Sequence, residues 1–405
     1  MRILHLSTSI FGGAGLVADR ISSAQQERGY ESLMYSREKS LYAKAGSEKI
    51  PSVIRGGLSS LITFGSQLNT KHPYPIMTPI SVSAINREHI LKFEPEVVHI
   101  HNWYNLLSLG DLDWLIQTFP AVFTLHDQRL LTGGCHYTLG CNRSCSGCID
   151  CPALKSFRAA SRHSREAISS LWQKHKGRYG LVAPSNWLLD LARVDPIGIH
   201  AKRLEVIRNP ISEVFQNTYR EQIPLSGNSI LLLFVAADCS ASTKGLDIVL
   251  DGLPSNGMIL NRPFKLIVVG GRIDSRITSK YHYVESKGML PEIEIAKLMS
   301  KVDLLIVPSR NENSPSVIME AKLCEIPVLA SNVGGIPELF NEASRNELFE
   351  PNPDSFFEKF QLIISKDFTK EELCQVKLEA LSTHNLDCVI NAHQAIYSEV
   401  VNVRK

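Results

Sequence analysis

The apolar positions of this chain fall into short dense runs, separated by longer stretches in which apolar residues recur every three or four positions. Ile3, Leu4 and Leu6 make the first run, a helical spacing follows over about Gly15 to Arg28, and Leu33 to Tyr35 is the second. That order predicts a strand, a helix and a strand, with further strands at Val97 to Ile100, Val122 to Leu125 and Leu181 to Ala183. A polar helix is expected between Lys155 and Lys176, whereas residues 37–80 show no clear period. Arg208-Asn209-Pro210 and the polar stretch Gln222-Ile223-Pro224-Leu225-Ser226-Gly227 read as a linker.

Beyond it, Ile230 to Val235, Leu266 to Val269, Leu304 to Val307 and Val328 to Ala330 are continuous apolar runs rich in branched residues. Such runs suit parallel strands covered on both faces. Helices are expected between them at Gly245 to Asp251, Pro291 to Met299 and Pro315 to Cys324. Strand-helix alternation on both sides of a linker predicts an α/β fold of two Rossmann-like doubly wound domains. We set them at residues 1–205 and 206–380, facing across a cleft, with a last helix over 381–405 crossing back to the first domain. Ligands of such sheets collect at the carboxyl ends of the strands.

Composition narrows the function classes. Of 405 residues, 44% are apolar and 21% charged, and 43 basic against 41 acidic residues leave a net charge of +2, so nothing points to nucleic acid as a partner. No stretch approaches the ~20 apolar residues of a membrane span. The first residues lead straight into a strand, too short for a signal-peptide core. A cytoplasmic location is therefore expected, with the nine cysteines mostly reduced.

The chemistry concentrates after the strand ending at Val307. A polar loop, Pro308-Ser309-Arg310-Asn311-Glu312-Asn313-Ser314, leads to Pro315 at a helix start, whose free amides at Ser316 and beyond favour an anion such as a diphosphate. Glu312 lies in the loop and Glu320 inside the helix, separated by no more than about 12 Å. One carboxylate can hold a sugar and the other a ribose.

The Glu312-x7-Glu320 arrangement, followed by Glu325-Ile326-Pro327-Val328-Leu329-Ala330 and Gly334-Gly335-Ile336-Pro337-Glu338, resembles the signature of family 4 glycosyltransferases of the GT-B fold. Gly12-Gly13-Ala14-Gly15 is similar to the family's glycine-rich loop after the first strand, and Phe234-Val235-Ala236-Ala237 with Lys244-Gly245 to the segment carrying its phosphate-binding lysine. The family's usual glycine and arginine after that strand are absent, which leaves the clamp to Lys244, with Arg272 as a helper. Thr124-Leu125-His126-Asp127 resembles the segment whose histidine faces the sugar, and Val98-His99-Ile100-His101-Asn102 is compatible with the acceptor side. Thr132-Gly133-Gly134-Cys135-His136-Tyr137 with Cys148-x2-Cys151-Pro152 looks like a subgroup of bacterial surface-polysaccharide enzymes of the colanic-acid type.

The resemblance implies a retaining, metal-independent hexosyltransferase in polysaccharide biosynthesis. It would use a nucleotide-sugar donor, UDP- or GDP-linked, and a saccharide or lipid-linked saccharide acceptor, with peripheral membrane association. In that reading Glu312 and His126 are catalytic. Gly12, Gly13, Gly15, Lys244, Asn313, Ser314, Ser316 and Glu320 bind the donor, and His101 and Asn102 line the acceptor side. A nucleotide-sugar 2-epimerase of the same fold, and a non-catalytic scaffold of a polysaccharide assembly complex, are the rival readings.

Cys135, Cys141, Cys145, Cys148 and Cys151 crowd into the loop 132–152. Dense reduced cysteines are more often metal ligands than disulfides, and a tetrahedral thiolate site for a structural zinc would take Cys135, Cys141, Cys148 and Cys151, leaving Cys145 spare. Loose reduced or redox-paired thiols are the alternative. His99 and His101 read as polar strand-end residues.

Overall fold

The computed structural model describes residues 1–37, 56–72, 74, 78–220, 225, 227–271, 273–342 and 344–402, with only the backbone of 56–60 and 63. Arg272 and most of the linker stretch read from the sequence lie outside the described residues. The chain divides into two compact units, Met1–Pro210 with Leu386–Lys405, and Ile211–Asn385.

In the first unit the strands are β1 (Arg2–Leu6), β2 (Glu31–Tyr35), β3 (Val97–Ile100), β4 (Ala121–Thr124), β5 (Tyr179–Ala183) and β6 (Arg203–Val206). All pair in parallel in the order β2-β1-β3-β4-β5-β6. Alternate residues serve opposite faces, as the period of a strand requires. Leu4, Leu6, Val98, Ile100 and Phe123 pack into one apolar layer. Ile3, Val97, Val122 and Val182 pack into another, covered by Val389, Ile390, Ile396 and Tyr397 of the helix Leu386–Asn402. That helix is therefore part of this unit although it ends the chain. The order reverses between β1 and β3, so the loops after these two strands flank the crevice where such sheets take ligands.

The second unit holds β7 (Ile230–Asp238), β8 (Met258–Ile259), β9 (Arg262–Gly271), β10 (Val284–Gly288), β11 (Leu304–Val307), β12 (Val328–Ser331) and β13 (Leu348–Phe349). The parallel path runs β10-β9-β7-β11-β12-β13, with the short β8 antiparallel beside β9. Counted along the unit's principal strands this is the order 3-2-1-4-5-6, whose reversal lies between β7 and β11. Apolar layers lie on both faces, one with Leu232, Phe234, Leu266, Leu304 and Leu329, the other with Leu233, Ile267, Leu305, Val307 and Val328. This is why the runs in this half show no polar alternation.

Candidate functional site

The reversal between β7 and β11 brings two loops of the second unit together, and each carries one charged residue singled out above. Lys244 ends a short 3-10 turn, Ser242–Lys244, in the loop after β7. Glu312 lies in the loop after β11, and its Oε2 accepts from Lys244 Nζ at 2.5 Å. Glu312 is 9% exposed and Lys244 33%, so the carboxylate is sunk while the ammonium keeps a face open.

Local chemistry fixes the pair. Arg310 N–H donates to Thr243 O at 2.8 Å, and its Nη1 donates to Ser242 O at 2.7 Å and to Asp247 Oδ1 at 2.8 Å. The second guanidinium nitrogen completes a fork on Asp247 at 2.5 Å, and this pairing holds the Asp247 carboxyl below its usual range. Gly245 has φ +70°, and a Cβ there would stand 2.0 Å from Pro308 O. Gly334, at φ +58°, would put a Cβ 1.9 Å from Glu312 O, which also accepts from Gly335 N–H at 3.1 Å. Only glycine permits both close approaches. Arg310 and its partner Asp247 escaped the sequence reading, because nothing in their spacing reveals a bond across two loops.

Asn313 and Ser314 are buried beside Glu312, and Ser316 opens the helix Ser316–Leu323, which has Pro315 as its N-cap and no acidic residue in its first turn. Amides of a first turn have no partner within the helix, so this end can accept an anion. Glu320 sits in the second turn of that helix, half-buried.

In the first unit, Gly12, Gly13 and Gly15 lie within the first turn of the helix Gly12–Glu27, and the loop after β1 is Ser7–Phe11. This corrects the sequence reading, in which these glycines form the loop itself and the helix starts at Gly15. Gly12 has φ +72°, and at Gly12 and Gly13 a Cβ would meet nothing within 4 Å, whereas at Gly15 it would stand 2.4 Å from Ser9 O. The helix start is thus open around its first two residues and tightly packed at the fourth.

His101, Asn102, His126 and Asp127 line one small pocket at the carboxyl ends of β3 and β4. Thr8 N–H and its hydroxyl both donate to Asn102 O, at 2.7 and 2.9 Å. Behind the pocket runs a chain of imidazoles. His126 Nε2 lies 3.2 Å from His101 Nδ1, His101 Nε2 lies 3.0 Å from His5 Nδ1, and His5 Nε2 lies 2.8 Å from Gln25 Oε1. His99 joins from the side, with Tyr397 hydroxyl 2.6 Å from its Nδ1 and Thr124 hydroxyl 2.7 Å from its Nε2.

Burial lowers the pKa of His5 and of His126 to about 4, and pushes His99 and His101 well below the usual value. All four are neutral at physiological pH. His99 and His101, at the end of β3, are buried and hydrogen-bonded on both ring nitrogens, so they are polar strand-end residues turned inward rather than toward solvent. A signal was present: His5 and His99 are register partners on β1 and β3, and His101 follows two residues later, just past the end of β3.

Among the described residues, His5, His99 and His101 are the group whose ligand atoms all lie within 4.8 Å of one another. Every ring nitrogen of the three already has a partner, so the trio is satisfied without an ion. Cys135, Cys141, Cys148 and Cys151 line a separate cavity, and Cys145 is exposed away from it.

Comparison with known proteins gives the family and the fold. Residues 11–214 match the family described as Glycosyltransferase Family 4, and residues 215–376 match Glycosyl transferases group 1. An uncharacterized glycosyltransferase of Methanocaldococcus jannaschii is 26% identical over 201 residues, 48% of this chain and 56% of that protein. A glycosyl transferase assigned to colanic acid biosynthesis in Escherichia coli (strain K12) is 21% identical over 276 residues, 63% of this chain and 64% of that protein. The matches thus span about half to two thirds of these relatives. The crystal structure of Anabaena HepE in complex with UDP-glucose superposes with a TM-score of 0.63 at 17% identity, covering 99% of this chain and 100% of that one, and shares its fold. Two sheets of parallel strands, each reversing its strand order, and a family profile matched across half of the chain lead to one conclusion: the chain belongs to glycosyltransferase family 4, with the GT-B fold.

Proposed function

We propose that this protein is a retaining hexosyltransferase that moves a sugar from a nucleotide donor to a saccharide or lipid-linked saccharide during surface-polysaccharide assembly. The reading rests on the Lys244–Glu312 pair at the strand-order reversal of the second unit. Lys244, with one face open, takes the donor phosphates together with the amides at the start of Ser316–Leu323. Gly12, Gly13 and Gly15, at the helix start of the first unit, are assigned to the donor through the family resemblance. These donors replace a divalent cation, so the transfer needs no metal.

Glu312 orients the sugar hydroxyls and offsets the positive charge that develops at the anomeric carbon. Its bond to Lys244 keeps it aimed. Asn313 and Ser314 add hydrogen bonds, Glu320 holds the ribose, and neutral His126 meets the transferred sugar, with His101 and Asn102 on the acceptor side. HepE is complexed with UDP-glucose, which favours UDP over GDP as the donor nucleotide here.

No helix among the described residues is long and apolar enough to cross a membrane. Contact with a lipid-linked acceptor is then peripheral, at a cytoplasmic membrane face. Leu61, Phe64 and Leu68, at helical spacing on Gly56–Asn69, are 59–69% exposed, and Phe157 is 83% exposed. Lys155 Nζ donates to Leu68 O, bringing a cation to the same edge, as an anionic bilayer surface requires.

Steady-state kinetics test the roles. Glu320→Ala raises the donor KM about tenfold or more with little change in kcat, and Glu312→Gln lowers kcat by roughly 10²–10³ with the fold intact. EDTA leaves transfer unchanged. An unaltered donor KM in the first variant, or activity abolished by EDTA and restored by Mg²⁺, contradicts the reading, and conversion of donor to an epimer without acceptor points to the rival epimerase.

A further inference from the structure

From Thr132 to Arg158 the chain forms neither helix nor strand, between the turn ending at Leu131 and the helix starting at Ala159. Irregular stretches this long are uncommon in compact domains and need something other than a ladder of backbone bonds to hold them. The apolar core of this one is minimal: Cys151, Ala153 and Leu154, with Tyr74 and Cys135 against them. A core so small cannot fix a shape, and small folds in that position carry a metal or disulfides instead.

Yet the shape is closely specified. Leu139, Gly140, Gly147, Cys148 and Asp150 all take left-handed φ values. Gly133 and Gly134 press so tightly on Ser161 and Thr78 that a Cβ would stand 2.1 and 2.5 Å from their carbonyl oxygens. Those turns carry Cys135, Cys141, Cys148 and Cys151 to the wall of one cavity of about 20 Å³. Cys145, in the same loop, points elsewhere and is exposed.

We propose that Cys135, Cys141, Cys148 and Cys151 bind one Zn²⁺ through four thiolates, and that this ion staples residues 132–158. The chemistry fits. Binding releases the thiol protons to solvent and leaves a tetrathiolate complex of net charge about −2. Gly133 N–H already donates to Cys148 Sγ at 3.2 Å, the kind of amide contact that steadies a thiolate, and the Arg143 side chain lines the same cavity. Four soft sulfur ligands with no histidine or carboxylate among them suit a thiophilic ion such as zinc, and bound iron in place of zinc would mark a cluster instead. Coordination by the four thiolates would set each Zn–S distance at about 2.3 Å.

The staple also has a place in the site. Gln128 N–H donates to His136 O at 3.0 Å, Thr138 N–H donates to Gln128 Oε1 at 2.8 Å, and His136 Nε2 lies 3.6 Å from Asp127 Oδ2. The loop is thereby bolted to the residues that follow His126. On the other side, Lys71 N–H donates to Ala153 O at 2.8 Å and Thr78 N–H to Gly134 O at 3.1 Å.

Elemental analysis of the untagged protein, purified without chelator, tests the proposal. About one zinc per chain is expected, kept in Cys145→Ser and lost in Cys135→Ser and Cys148→Ser. Because these last variants can fail to fold, the native protein is also titrated with an organomercurial beside a zinc-sensitive dye, with circular dichroism followed in parallel. Zinc release that tracks modification of the buried thiols, equally in Cys145→Ser, supports the site. A folded, zinc-free wild type that takes up no zinc, cysteines found paired in disulfides, bound iron, or zinc retained after loss of Cys148 each overturn it.

Discussion

At the scale of single residues, the imidazole chain behind His126 has a direction. Gln25 Oε1 can only accept, so His5 carries its proton on Nε2 and presents a lone pair at Nδ1. His101 must then donate from Nε2 and accept at Nδ1, and His126 must donate from its own Nε2. One amide, fully buried in the helix Gly12–Glu27, thereby sets the tautomer of a histidine three hydrogen bonds away. Gln25 and His5 are positioning residues in this account, because neither meets the substrate. Gln25→Leu should lower kcat by about 10–100-fold with donor KM little changed, as loss of an orienting partner does elsewhere. The ¹⁵N shifts of His126 should report a mixed tautomer, which a merely structural role would not produce.

The same burial has a pH signature. A His5 that protonates near pH 4 when folded and near 6.5 when unfolded binds fewer protons in the native state throughout that interval. Its contribution is present above pH 6.5 and is lost as pH falls toward 4, for about 3 kcal/mol in all. His5→Gln should flatten the fall of stability over that window by roughly one proton's slope, measured by denaturant titration at stepped pH.

At the scale of elements, every strand expected from an apolar run is present, within a few residues of its expected bounds. Leu304–Val307 was legible because buried parallel strands need unbroken apolar sequence, and Val97–Ile100 because only His99 interrupts its apolar run. β6, with pattern Arg203-Leu204-Glu205-Val206, and β10 at Val284–Gly288 were not, being edge strands with one polar flank and little apolar content. The helix start at Gly12 was hidden because glycines there mimic a loop. The helix Gly56–Asn69 fell in the stretch with no readable period, and its apolar stripe faces outward. In a vesicle flotation assay the protein should bind anionic liposomes and release at high salt, and Leu61→Ser with Phe64→Ser should abolish binding while leaving transfer to a soluble acceptor intact. Equal flotation of wild type and double variant would assign the stripe to something other than a bilayer.

At the scale of the whole molecule, two sheets of different strand order repeat one device. In each, the order reverses, the strand ends beside the reversal carry the polar residues, and a helix start lies next to them. Glu312 was legible as a loop residue between a strand and a helix, and Lys244 by its resemblance to a family segment. Arg310, Asp247, Gln25 and His5 were not, because they act through bonds between segments far apart in the chain. The claim on which the account depends is that Lys244 receives the donor's phosphates while held by Glu312. Isothermal calorimetry with UDP alone tests it most directly. Wild type should bind UDP, Lys244→Ala should bind it at least tenfold more weakly with an unchanged circular dichroism spectrum, and UDP affinity equal in the two proteins would contradict the account.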